Sequence, residues 1–159
     1  MLKEANRDLN WRNILGKATL DKHQKDVEII LRLFSLVGNV ENYEKPMKEY
    51  LNRTMKKYGD GKSKKAEKFF ALFPRVVDFV AQNLGPKPFH LRGPLNSSAL
   101  DAVLVVLMES FATVKKEELA GRYNKLRANN NFLSLTQVST TDTNVLTSRV
   151  KLAREILLG

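Results

Sequence analysis

The sequence predicts an all-α protein, a compact bundle of about seven or eight helices around two buried central ones. Three observations carry that prediction. In Asp26 to Val37 (DVEIILRLFSLV), Val27, Ile30, Leu31, Phe34 and Val37 recur at helical spacing, and Ile29, Leu33 and Leu36 form a second apolar face. Only Glu28, Arg32, Ser35 and Asn39 remain for water, so other elements must surround this helix, which reads as the centre of the core. The stretch from Ser98 to Phe111 carries no charge between Asp101 and Glu109. Its valines at 103, 105 and 106 would also suit a buried strand, but its length, Ala99, Ala102 and Met108 favour a second buried helix. Finally, glycine, proline and asparagine breaks divide the rest of the chain into segments of helical period.

Residues 2 to 15 mix charges with Leu2, Leu9, Trp11, Ile14 and Leu15, giving one or two short helices ended by Gly16. Trp11 beside Arg12 could stack on a base, but a single tryptophan reads first as a core anchor. The central helix is expected to start near Asp21 or Lys22 and to stop at Gly38, a left-handed C-terminal residue. Asp26 then lies at the helix start, where the dipole favours an acid, and Glu28 and Arg32 are spaced to pair one turn apart.

Pro46 suits the first turn of the next helix, whose apolar face is Met47, Tyr50, Leu51 and Met55. Tyr58-Gly59-Asp60-Gly61 breaks it. From about Ser63 to Leu84 a long helix keeps its period through Pro74, which should kink it near Phe70. Pro86 to Leu95 holds three of the five prolines and is irregular, with Phe89 and Leu91 inward and His90 and Arg92 outward.

Ser98 with Asp101, and Ser139 with Asp142, have the spacing of capping boxes for the helices that follow. Between them, Lys115 to Leu126 is amphipathic, with Glu118 and Arg122 able to pair. Asn129 to Asn131 makes a turn before a short helix at Phe132 to Leu135. The last helix buries Leu146, Val150, Ala153 and Leu157, and its cations Arg149, Lys151 and Arg154 suit the negative end of its dipole.

A length of 159 residues with 43% apolar content fits one helical domain over residues 1–159 and one sizeable core. With no cysteine, disulfides and thiolate metal sites are excluded. The start, MLKEANRDLN, lacks the apolar segment of a signal peptide, and Ala102 to Met108 is too short to cross a bilayer. The expectation is a cytoplasmic protein without a membrane partner. The net charge of +10, from 27 basic and 17 acidic residues, favours polyanionic partners. Between Lys48 and Lys68 the excess is concentrated in Lys48, Arg53, Lys56, Lys57, Lys62, Lys64, Lys65 and Lys68, against Glu49, Asp60 and Glu67. This corner either keeps the protein soluble or contacts nucleic acid. Arg53, Lys56, Lys57, Lys62, Lys64, Lys65 and Lys68 are the candidate nucleic-acid-binding residues.

No reaction is legible in the residues. His23 and His90 have no partner at metal-ligand spacing, and no triad is indicated. Gly59 and Gly61 before Lys62 imitate a phosphate loop without its preceding strand. The adjacent Glu117 and Glu118 fall on different sides of a helix. The expectation is a chain without catalytic residues, metal or cofactor.

Gln24 to Asn52 (QKDVEIILRLFSLVGNVENYEKPMKEYLN) carries Lys25, Asp26, Glu28, Leu31, Arg32 and Phe34, then Tyr43, Met47, Leu51 and Asn52. This order resembles the helical half of the GmrSD-type restriction family, whose pattern reads roughly K-D-x-E-x-x-L-R-F-F followed by Y…M..FLN. Three later blocks, FFALFPRVVDFVAQNLGPKPFHL, LNSSALDAVLVVLMES and NNFLSLTQVSTTDTNVLTSRVKLAREIL, are similar and follow in the family's order. The resemblance implies a helical accessory domain of a restriction or phage-defence protein. Its implied partner is an N-terminal ParB-like half bearing a D-G-Q-Q-R motif and the nucleotide-linked chemistry. Neither that motif nor the clustered histidines and asparagines of an HNH site occurs here, so no catalytic residue carries over and the chain reads as a fragment. Within that reading the domain either presents DNA through its basic corner or serves as a scaffold or oligomerisation module. The scaffold role implies an exposed apolar patch, with Leu2, Leu9 and Trp11 as its candidates.

Overall fold

The computed structural model describes residues Met1–Gly159 and contains nine α-helices, a short 3-10 turn and no strand. The helices are α1 (Leu2–Ala5), α2 (Leu9–Leu15), α3 (Lys25–Leu36), α4 (Met47–Tyr58), α5 (Lys64–Leu84), α6 (Ser97–Ser110), α7 (Lys116–Ala128), α8 (Asn130–Leu135) and α9 (Thr143–Leu158). The all-α expectation holds, and the count exceeds it by one because residues 2–15 form two separate short helices, α1 and α2.

Of the two central helices expected, α6 is the more completely buried. From Ser98 to Met108 every residue of α6 is buried, and α6 packs against α3, α5 and α9. The α3 helix is buried over most of its circumference and packs on α1, α4 and α6, leaving a stripe with Lys25 and Glu28 exposed. The physical reason is visible in the sequence of α6: a helix with no charge along about two turns, from Ala102 to Met108, has no face to offer water. Ala99, Ala102 and the valines allow neighbours to approach from all sides.

Caps explain most helix limits. Asp8 accepts from the Trp11 N–H, Ser63 from Ala66 and Asn129 from Phe132. Gly16, at φ 66°, closes α2 and lies against the Lys87 side chain, a conformation and a contact that both disfavour a Cβ. Two expected capping boxes do not form. Asn96 caps α6 by accepting from the Ala99 N–H, and Asp142 precedes α9 without a side-chain cap bond. Asp142 instead accepts from Lys45 Nζ at 3.0 Å. The α5 helix continues as one element through Pro74.

Asp101, freed from capping, is fully buried and pairs with Arg32, which therefore does not pair with Glu28. Ser35, expected in water, is buried and donates to the Leu31 carbonyl oxygen. Asp26 does lie in the first turn of α3, which starts at Lys25, but it is buried against Arg12. Arg149, expected to suit the negative end of the last helix's dipole, lies in the middle of α9, is fully buried and donates through Nη1 to the Leu135 and Thr140 carbonyl oxygens. Apart from Ser35, these corrections have one cause: long cationic side chains reach buried acids and loop carbonyls that local spacing does not reveal.

Trp11 is the core anchor expected of it, its ring set edge-on to Phe73 and its Nε1 donating to Asn6 Oδ1. The irregular Pro86 to Leu95 segment is pinned by Phe89, which is buried, and by Tyr123, whose hydroxyl donates to the Pro88 carbonyl oxygen. Burial pushes the Tyr123 phenol up to about 12. Glu118 and Arg122 pair on α7 as expected.

Candidate functional site

The two helices of the basic hairpin part company after the turn at Gly59 to Gly61. The α4 helix packs on α3, whereas α5 packs on α2, α6 and α7, so a cleft of about 720 Å³ opens between them. The α4 wall presents Tyr50, Arg53, Thr54, Lys57 and Tyr58, positions that share one helical face. Opposite them, Lys64, Lys65, Lys68, Phe69 and Leu72 form the α5 wall, and Asn39 and Asn42 close one end beyond α3.

Of the seven candidate residues, Arg53, Lys57, Lys64, Lys65 and Lys68 are thereby brought together. Lys56 and Lys62 stay outside: Lys56 is about 100° around α4 from Lys57, and Lys62 sits in the turn, where its N–H donates to Asp60 Oδ1. No carboxylate lines the cleft, and none of the five cations takes part in an ion pair of the protein. Glu49, Asp60 and Glu67, the nearby acids in sequence, lie off both walls.

Lys65 differs from the other four. It is half-buried, with its Nζ 5.1 Å from the centroid of the Phe34 ring and 5.5 Å from that of Tyr58. Lys57 Nζ lies 5.2 Å from the same Tyr58 ring. The aromatic faces attract both ammonium groups and fix them. Burial, and then the charge of Lys57, lower the pKa of Lys65. An anion between them offsets the repulsion between Lys65 and Lys57, so the site favours one electrostatically.

The polar end is equally fixed. Tyr50 donates to the Ser35 carbonyl oxygen at 2.7 Å and accepts from Asn39 Nδ2 at 2.9 Å, while Asn42 Nδ2 donates to Asn39 Oδ1 at 2.8 Å. Sequence reading missed Tyr50, Tyr58, Asn39 and Asn42 as parts of this site. The shared face of Tyr50, Lys57 and Tyr58 was a usable signal; the approach of Asn39 and Asn42, from another segment, was not.

Elsewhere the groupings are sparse. No three of the His, Asp and Glu side chains assemble as a metal-holding group. His90 does not point outward as expected: it is half-buried, its Nδ1 has no hydrogen-bond partner, and burial lowers its pKa. Trp11 leaves the expected apolar patch because it is buried, whereas Leu9 is 79% exposed. No helix is long and apolar enough to cross a membrane. Comparison with protein families, with curated proteins and with solved structures finds no match to this chain.

Proposed function

We propose that this chain is a helical accessory module that holds nucleic acid, through its phosphates, in the cleft between α4 and α5. The observation that carries the reading is the convergence of Arg53, Lys57, Lys64, Lys65 and Lys68 on one cavity without a single carboxylate. A merely solvated corner has no need to aim its cations at one another, because like charges so placed repel. Phosphate contacts of this kind position a partner without reading its sequence. The resemblance to the helical half of GmrSD-type restriction proteins supplies the setting: DNA presentation beside a ParB-like half.

Fluorescence anisotropy with labelled DNA at two salt concentrations tests this. Micromolar binding that weakens steeply with salt is expected, and Lys57→Glu with Lys64→Glu and Lys68→Glu should abolish it. Binding unchanged by those three reversals would remove the cleft from the account. The scaffold reading is favoured by a different observation, a groove of about 450 Å³ beside Met1, Leu2, Met55 and Phe70. Sedimentation of the purified chain discriminates, since a scaffold that docks there self-associates without nucleic acid.

A further inference from the structure

We propose that the cleft takes a single nucleic-acid strand and excludes the face of a duplex. This rests on the nucleic-acid reading above and narrows its ligand.

The cations line both walls of a concavity, Arg53 and Lys57 on one side and Lys64, Lys65 and Lys68 on the other. A phosphate is held by both walls only if the chain that carries it enters between them. Duplex DNA is a stiff convex rod, with a persistence length of about 150 bp, and cannot fold into a recess. A single strand bends freely and tracks basic grooves in this way. The volume, about 720 Å³, falls within the ~300–1,000 Å³ of sites for small organic ligands such as a nucleotide.

Lys65 sharpens the distinction. Half-buried and lying over Phe34 and Tyr58, it meets only a phosphate that has entered the cleft. A duplex resting on the surface would engage the exposed Lys64 and Lys68 and leave Lys65 untouched. Because the ring of Tyr58 already faces two amines, it offers no stacking platform to a base, and the grip falls on phosphate alone. Tyr50, Asn39 and Asn42 are committed to one another and to Ser35, which keeps the closed end in shape whatever the base.

The test compares one labelled DNA strand of about 16 nucleotides, the upper end of single-strand site sizes, with the same strand annealed to its complement. Anisotropy titrations should show the single strand at least ~10-fold tighter, with a log–log salt slope near −3.5 if all five cations meet phosphates. In parallel, limited acetylation read by mass spectrometry needs no variant: the single strand should slow modification of Lys65 several-fold, and the duplex should not. Lys65→Gln should then erase the single-strand preference, and circular dichroism checks that this variant folds. Equal or tighter duplex binding, or a Lys65 that reacts equally fast with the single strand bound, overturns the inference and leaves nucleic-acid binding standing. Binding of neither ligand overturns the proposed function itself.

Discussion

Arg12 Nη1 donates to Asp26 Oδ2 at 2.7 Å, between side chains that are only 5% and 3% exposed. The pair fastens α2 to the first turn of α3. Arg12 also donates to Asn6 Oδ1 and to the Lys17 and Thr19 carbonyl oxygens, so one guanidinium gathers the whole segment before α3. Arg12→Met leaves the buried Asp26 carboxylate without its counter-charge and should cost about 3–5 kcal/mol. Urea unfolding measures this; a loss under about 1 kcal/mol would show that water reaches the carboxylate.

Asp26 also sets an acid limit on stability. Burial pushes its carboxyl up, but the Asp21 N–H, Asn6, Arg12 and the Val27 N–H outweigh it and hold the pKa at about 2, against 3.8 unperturbed. A depressed folded-state pKa contributes stability that is present above the unfolded value and lost as pH falls through the folded one. About 2 kcal/mol should therefore disappear between roughly pH 5 and pH 2. In Asp26→Asn that component of the acid dependence should be absent, as unfolding at a series of pH values would reveal.

The Arg32–Asp101 pair joins the two most apolar helices, α3 and α6. Burial pushes the Asp101 carboxyl up, and the charges of Arg32 and Arg149 oppose that push. Removing Asp101 alone strands the buried Arg149 guanidinium and the half-buried one of Arg32; removing Arg32 with it strands fewer. Arg32→Met and Asp101→Leu should thus each destabilise strongly, and the double variant by less than their sum, with a coupling of about 1–3 kcal/mol. Strict additivity would mean that the two groups do not interact in solution.

Core and surface apolar residues should separate cleanly. Phe73 is buried against Trp11, with ring centroids 5.3 Å apart, and against Phe69 at 5.7 Å. Phe73→Ala should cost about 3–5 kcal/mol. Leu9→Ser, at an exposed position, should change stability by less than about 0.5 kcal/mol. If Leu9→Ser instead alters sedimentation, the residue belongs to an interface and the scaffold reading gains ground.

The helices themselves were legible because each carries its own period and its own breaks, as α5 does between Ser63 and Gly85. Local spacing misled wherever a polar side chain had a distant partner. Ser98 and Asp101 look like a capping box, but Asp101 belongs to Arg32, 69 residues away along the chain. Arg149 reads in sequence as a cation for the end of a helix dipole, but it lies in the middle of α9 and satisfies loop carbonyls inside the core. For the cleft, the density of lysines was visible in sequence; the parting of α4 from α5, which turns that density into a cavity, depends on what each helix packs against.

That parting has a consequence for how the protein responds to ions. Five positive groups face one another across α4 and α5, so the empty molecule bears their mutual repulsion. Salt screens it, over a Debye length of about 10 Å at 0.1 M, and should raise the melting temperature. The same salt loosens the grip on phosphate. Heat resistance and affinity should therefore move in opposite directions along a salt gradient, and a bound polyanion should substitute for salt as the counter-charge that steadies the hairpin.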